Sequence, residues 1–188
     1  MNREEWLESA VAEVRPLFTV FGSPLPKQIR VTCGFPSRNA RSRLRSVGEH
    51  WSPKASSDGT HEILISPVLS ASLDVLGTLV HELCHAATDG DGHGAKFTRL
   101  ARKMSLEGKP TETTAGDKFK TAFADLLDGL GMYPHAKLNV GFDKKTQSTR
   151  MHKASCQHCG YTIRLSQKWA NVGIPQCPDT DHGALTLE

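Results

Sequence analysis

The stretch SASLDVLGTLVHELCHAATDGDGHGAKF, residues 70–97, decides how the rest of the chain is read. Leu73, Leu76, Val80, Leu83 and Ala87 recur at helical spacing, which predicts an amphipathic helix over 70–87. Ser70 or Ser72 can cap its start, and the glycines of TDGDG end it. Inside that helix lies HELCH. Residues four apart share a helix face, so His81 and His85 can bind one metal ion together, with Glu82 beside them. Two imidazole ligands and an adjacent carboxylate are what a zinc peptidase helix needs: the metal acidifies a water, and Glu82 takes its proton as general base.

A catalytic zinc keeps three protein ligands and an open position, so a third donor is required. His93 is preferred. Gly90, Gly92 and Gly94 let the chain turn back towards the helix, and imidazole is a common third ligand. Glu107, Asp89 and Asp91 are the alternatives. Cys84 lies about 100° round the helix from His85 and reads as a small buried hydrophobe, as does Cys33 in its expected strand. Tyr133, His135 and the arginines of 38–45 are candidate donors to a developing oxyanion.

Near the end of the chain, CQHCGYTIRLSQKWANVGIPQCPDTDH brings Cys156, Cys159, Cys177 and His182 into the spacing of a structural zinc site, with Asp179 or Asp181 as alternatives to His182 for the fourth ligand. Four ligands saturate the ion, so this zinc is expected to fold the segment and do no chemistry. A piece this short has too little apolar material for a core of its own. YTIRL and the stretch near Trp169 read as ribbon strands, and His158 has poor geometry for a ligand.

Composition is consistent with this. In 188 residues, 38% are hydrophobic and 23% charged, the balance of a globular chain and not of a disordered one. Nine histidines and five cysteines stand out, and the odd cysteine count argues against a disulfide framework. The acidic start MNREEWLESAVAEV is unlike a secretory signal, and no window is apolar enough to cross a bilayer. A cytoplasmic monomer with two zinc ions and no membrane partner is expected. Net charge is only +3, but Ser37–Lys54 and Lys137–Lys168 are strongly basic. Arg38, Arg41, Arg43, Arg45, Lys144, Lys145, Arg150 and Lys153 are therefore candidate contacts to nucleic acid.

Before the metal helix, Arg3 to about Val14 reads as a helix bent or ended by Pro16. IRVTCGF, the run around RSVGEHW, and HEILISP read as a small antiparallel sheet. A helix is expected over 95–104, then a turn at GKPTETTAG, then one helix carrying Phe119, Phe123, Leu126, Leu127 and Leu130. These readings give an α+β chain with three parts: a metal-binding domain over 1–136, a basic connector over 137–154 and a zinc ribbon over 155–188.

The runs GFPSRNARSRLRSVGEHW, HEILISP, TLVHELCHA and GHGAKF, followed by CQHCGYTIR and GIPQCPDTDHG, resemble the SprT-like metallopeptidase family, especially its compact bacterial and phage versions. The similarity extends from about Phe18 to Gly183. The resemblance implies a small zincin-like domain followed by a zinc ribbon, with Glu82 as catalytic acid and base. In that family GHGAKF carries the third zinc ligand, which favours His93 over Glu107. It further implies a protein substrate, with DNA as a partner, because the family is associated with proteolysis of proteins attached to DNA. Two departures stand out: the loop from His85 to His93 is shorter, and the last ribbon knuckle is stretched. Besides peptidase activity, the sequence admits a nucleic-acid-binding ribbon protein whose HExxH site is structural.

Overall fold

The first helix begins where its own sequence closes a capping box. In α1 (Arg3–Val20), Asn2 Oδ1 accepts from the Glu5 N–H at 2.9 Å, and Glu5 Oε2 accepts from the Asn2 N–H at 2.8 Å. The computed structural model describes residues 1–37, 45–142 and 151–188. Arg38, Arg41, Arg43, Lys144, Lys145 and Arg150 lie outside the described residues. The chain divides into two compact units, Met1–Phe142 and Asp143–Glu188. Among the described residues no helix is long and apolar enough to cross a membrane.

In the first unit α1 does not end near Val14; it runs through Pro16 to Val20. Proline costs the helix one backbone bond. The buried stripe of Trp6, Leu7, Ala10, Val11 and Val14 continues one turn further to the fully buried Phe18, which anchors the last turn. Strands β1 (Ile29–Cys33), β2 (Gly48–Trp51) and β3 (His61–Ile65) form a sheet of order β1-β3-β2. The expected antiparallel sheet is in fact mixed: β1 runs parallel to β3, with Val31 opposite Ile63, and only β2 is antiparallel to it. Alternation marks which residues face the core, but it carries no sign for strand direction.

The metal helix α2 (Ser72–Ala87) packs against β2 and β3 and gives Val75, Leu76, Leu79, Val80, Leu83 and Cys84 to the buried core. Ala71 holds its cap position, and the Ser72 hydroxyl instead accepts from the Tyr133 N–H at 2.8 Å. Next comes α3 (Ala95–Lys103), which buries Phe97, Leu100 and Ala101. The segment read as a turn is a hairpin, β4 (Glu107–Lys109) with β5 (Glu112–Thr114). It is too short and polar to show hydrophobic alternation. The expected single helix divides at Phe123 into α4 (Asp117–Ala122) and α5 (Ala124–Leu130), while the stacked Phe119 and Phe123 rings both stay buried.

The second unit is built on β6 (Met151–Ser155), the centre of a sheet of order β7-β6-β8 with β7 (Thr162–Ser166) and β8 (Thr186–Leu187). Residues 151–154, read from sequence as connector, belong to that central strand. Only Ala154 among them is fully buried, so the strand's apolar signal is one residue deep. The stretch around Trp169 is not a ribbon strand but the short helix α6 (Gln167–Val172).

Candidate metal centre

Helical geometry alone puts His81 and His85 on one face of α2, and the loop after the helix brings His93 to them. That loop reverses through Gly90 (φ 85°) and Gly92 (φ 56°), conformations that favour glycine. Asp91 then closes it: its carboxylate accepts from the Phe97 N–H at 2.9 Å, satisfying a donor in the first turn of α3. One nitrogen each from His81, His85 and His93 lies within 4.8 Å of the others. Nε2 of His85 faces Nε2 of His93 at 3.2 Å. The Phe97 ring packs against all three, with centroids 4.3 Å from His85, 4.9 Å from His81 and 5.0 Å from His93.

Burial holds His81 down at about 4 and His85 at about 3, so both are neutral and carry a lone pair for a metal. His81 Nδ1 lies 2.7 Å from the Thr113 hydroxyl on β5, which leaves Nε2 free to coordinate. Three neutral imidazoles converging on one point, one of them oriented by a hydroxyl, are a donor set that suits zinc.

Glu82 is only 6% exposed. Burial, with the charge of Glu49 adding to it, pushes its carboxyl up to about 8; a dication bound beside it would favour the carboxylate. The edge strand β2 makes room for this side chain. A Cβ at Gly48 would lie 2.4 Å from Glu82 Oε1.

The other acidic candidates are turned elsewhere. Glu107 faces Gly116, where an added Cβ would strike its carboxylate, and lies 4.0 Å from the Lys118 ammonium. Asp89 accepts from the Ser52 hydroxyl at 3.4 Å. Cys84 is fully buried and Cys33 partly so. Tyr133 and His135 stand at the opposite end of α2: Tyr133 binds Ser72, and His135 lies between Arg3 and the Pro67 carbonyl. At 1.5 Å per residue, Ser72 is roughly 13 Å along the axis from His81. Neither can serve as an oxyanion donor there. Thr113, Gly48 and Glu49 were missed in the sequence, because no spacing rule links them to the HELCH motif.

In the second unit Cys156, Cys159, Cys177 and His182 bring one ligand atom each within 4.8 Å of the others. Cys159 Sγ is 3.5 Å from Cys177 Sγ, and His182 Nδ1 is 3.7 Å from Cys177 Sγ. Gly160 (φ 75°) and Gly183 (φ 73°) make the two ligand turns. Backbone N–H groups, that of Cys159 foremost, lower the Cys156 thiol to about 7, whereas burial raises Cys177 to about 11. The Asp179 carboxylate lies 3.6 Å from His182 Nε2, the ring nitrogen turned away from the sulfurs. His158 stacks on the His182 ring at 5.2 Å and is not among the converging donors. Three thiols and an imidazole, with no disulfide, are compatible with zinc. Of the nucleic-acid candidates among the described residues, Lys153 pairs with Glu188 at 2.7 Å.

The first unit is thus a mixed α/β unit in which His81, His85 and His93 could hold a metal ion, with the buried Glu82 next to His81 in α2. Residues 27–116 match the family model of SprT-like proteins, which bears out the resemblance read from the sequence. That span runs from β1 to β5 and holds His81, Glu82, His85, His93 and Thr113. The chain is also similar to the human germ cell nuclear acidic protein, at 26% identity over 178 residues. The match covers 89% of this chain and 25% of the human protein, so the chain spans about a quarter of that relative's length. No solved structure matches the chain.

Proposed function

We propose that the chain is a zinc metalloendopeptidase, with a zincin-like domain and a zinc ribbon, that acts on proteins associated with DNA. The observation that carries this reading is the convergence of His81, His85 and His93, with the buried Glu82 next to His81 in α2 and given space by Gly48. His81, His85 and His93 would hold the catalytic zinc, while Cys156, Cys159, Cys177 and His182 would hold a structural one. When bound, the catalytic zinc supplies a Lewis acid that brings the acidity of water near neutrality and polarises a carbonyl. Glu82 accepts the proton from the attacking water and returns it to the leaving amine. Phe97 excludes solvent from one side of the three imidazoles, and Thr113 fixes the tautomer of His81. The basic stretches of the sequence support DNA as the surface on which enzyme and substrate meet.

The test is cleavage of a DNA-bound protein by the purified, zinc-loaded chain. Glu82→Gln is expected to keep its zinc and lose cleavage by several orders of magnitude, and added salt is expected to weaken any dependence on DNA. Equal cleavage by the variant removes the mechanism. Cleavage indifferent to DNA and salt removes the substrate class and leaves the peptidase. DNA binding without cleavage assigns the histidine site a structural role.

A further inference from the structure

A histidine that binds a metal through one ring nitrogen almost always donates its other N–H to a partner, which fixes both ring plane and tautomer. His81 has such a partner in Thr113. His85 turns Nε2 to His93, and among the described residues its Nδ1 has no hydrogen-bond partner. Across from it stands His50 on β2. The two rings are parallel to within 4°, with centroids 6.2 Å apart.

His50 is held there by the sheet. Gly48 and His50 are successive inward positions of β2, and as Gly48 meets Glu82, His50 comes beside the next turn of α2. Behind it, His50 Nε2 lies 2.9 Å from Nδ1 of the buried His61 on β3, with ring centroids 5.2 Å apart. His50 Nδ1 has no hydrogen-bond partner among the described residues, as His85 Nδ1 has none; the Asp89 carboxylate acts on His50 and His61 through its charge alone. The separation from His85 exceeds that of the bonded His50–His61 pair by 1.0 Å, a gap closed by a small shift of the ring.

We propose that His50, braced by His61, is the positioning residue of His85: it accepts the His85 Nδ1–H and so leaves His85 Nε2 as the metal-binding atom. This rests on the reading of His81, His85 and His93 as a zinc site. The tautomers then follow along the row. His50 accepts at Nδ1 and donates its Nε2–H to His61 Nδ1. No spacing rule in the sequence joins His50 and His61 to the metal helix, because the antiparallel pairing of β2 with β3 creates their contact.

The test is metal affinity of the full chain by competition with a chromophoric chelator, using cobalt so that each site has its own spectrum. His50→Phe keeps a ring of similar size without nitrogens. It is expected to weaken the histidine site about 10- to 100-fold, while the thiolate band of the second unit stays unchanged as an internal control. His50→Asn places an amide oxygen near the position of Nδ1 and is expected to recover much of the loss. Nitrogen NMR of the zinc-loaded wild type is expected to show His50 protonated at Nε2. Wild-type affinity in His50→Phe, or a His50 protonated at Nδ1, overturns the proposal and leaves the zinc reading standing. Absence of metal from the histidine site in the wild type overturns the zinc reading itself.

Discussion

The tightest approach to the candidate catalytic carboxylate is made by a backbone, at Gly48, and replacing it by alanine is a direct perturbation. The new Cβ would lie 2.4 Å from Glu82 Oε1, 2.9 Å from Glu82 Cγ and 2.7 Å from Thr78 Cγ2. Ordinary contact begins near 3.4 Å, so the carboxylate must retreat by about 1 Å. The helix backbone of α2 behind it restricts the direction of that retreat. Overpacking of this kind costs about 1–3 kcal/mol, offset by about 0.5–1 kcal/mol because alanine suits a strand better than glycine. Stability should therefore fall only modestly. A misplacement of about 1 Å, by contrast, costs about 100-fold in rate. Gly48→Ala is expected to lose about two orders of magnitude in peptidase turnover, with full zinc content and a melting temperature lowered by a few degrees. Thr78→Ser in the same background relieves one of the three contacts and should recover stability more than turnover. Turnover within twofold of wild type in Gly48→Ala, with the variant folded and zinc-loaded, would falsify the placement of Glu82 as general base.

Three further outcomes are expected. Thr113→Val keeps the shape of the β5 side chain but strands the His81 N–H, and should weaken zinc binding about 10- to 100-fold in chelator competition, whereas Thr113→Ser should not; equal affinity in both variants removes the role of the hydroxyl. Gly77 sits inside α2 with an added Cβ only 2.6 Å from the Ala115 Cβ, so Gly77→Ala trades about 1 kcal/mol of helix propensity against about 1–3 kcal/mol of overpacking. Its melting temperature should not rise, and a clear increase contradicts the close approach. Chelation should unfold the second unit and leave the helices of the first in place, since the buried apolar cluster around Cys156 and Cys177 amounts to Ala154, Leu165 and Leu185. Amide exchange reads this out: persistent protection of β6 after metal removal refutes metal-dependent folding.

How much of this was legible beforehand depends on the range of each interaction. Local signals carried well. The stripe of α2 and the glycines after it follow from periods and turns a few residues long, and the structure has both where they were expected. Signals that compete locally misled: Pro16 reads as a stop, yet Phe18 two residues later has a buried place to fill. Segments with little apolar content gave no pattern at all, which is why the β4–β5 hairpin and the first residues of β6 read as turn and connector.

The sequence by itself determined which donors the molecule offers: HELCH and GHGAKF on one side, two cysteine knuckles on the other. Their chemistry resides in side-chain type and in spacings that helix and turn geometry convert into proximity. Only the tertiary structure decided what surrounds them. Thr113 reaches His81 from a hairpin 32 residues away, Gly48 clears the space for Glu82 from an edge strand, and His50 meets His61 because β2 and β3 pair in one register. Such contacts join residues distant along the chain, and they are set by packing the sheet against α2, which no local period encodes.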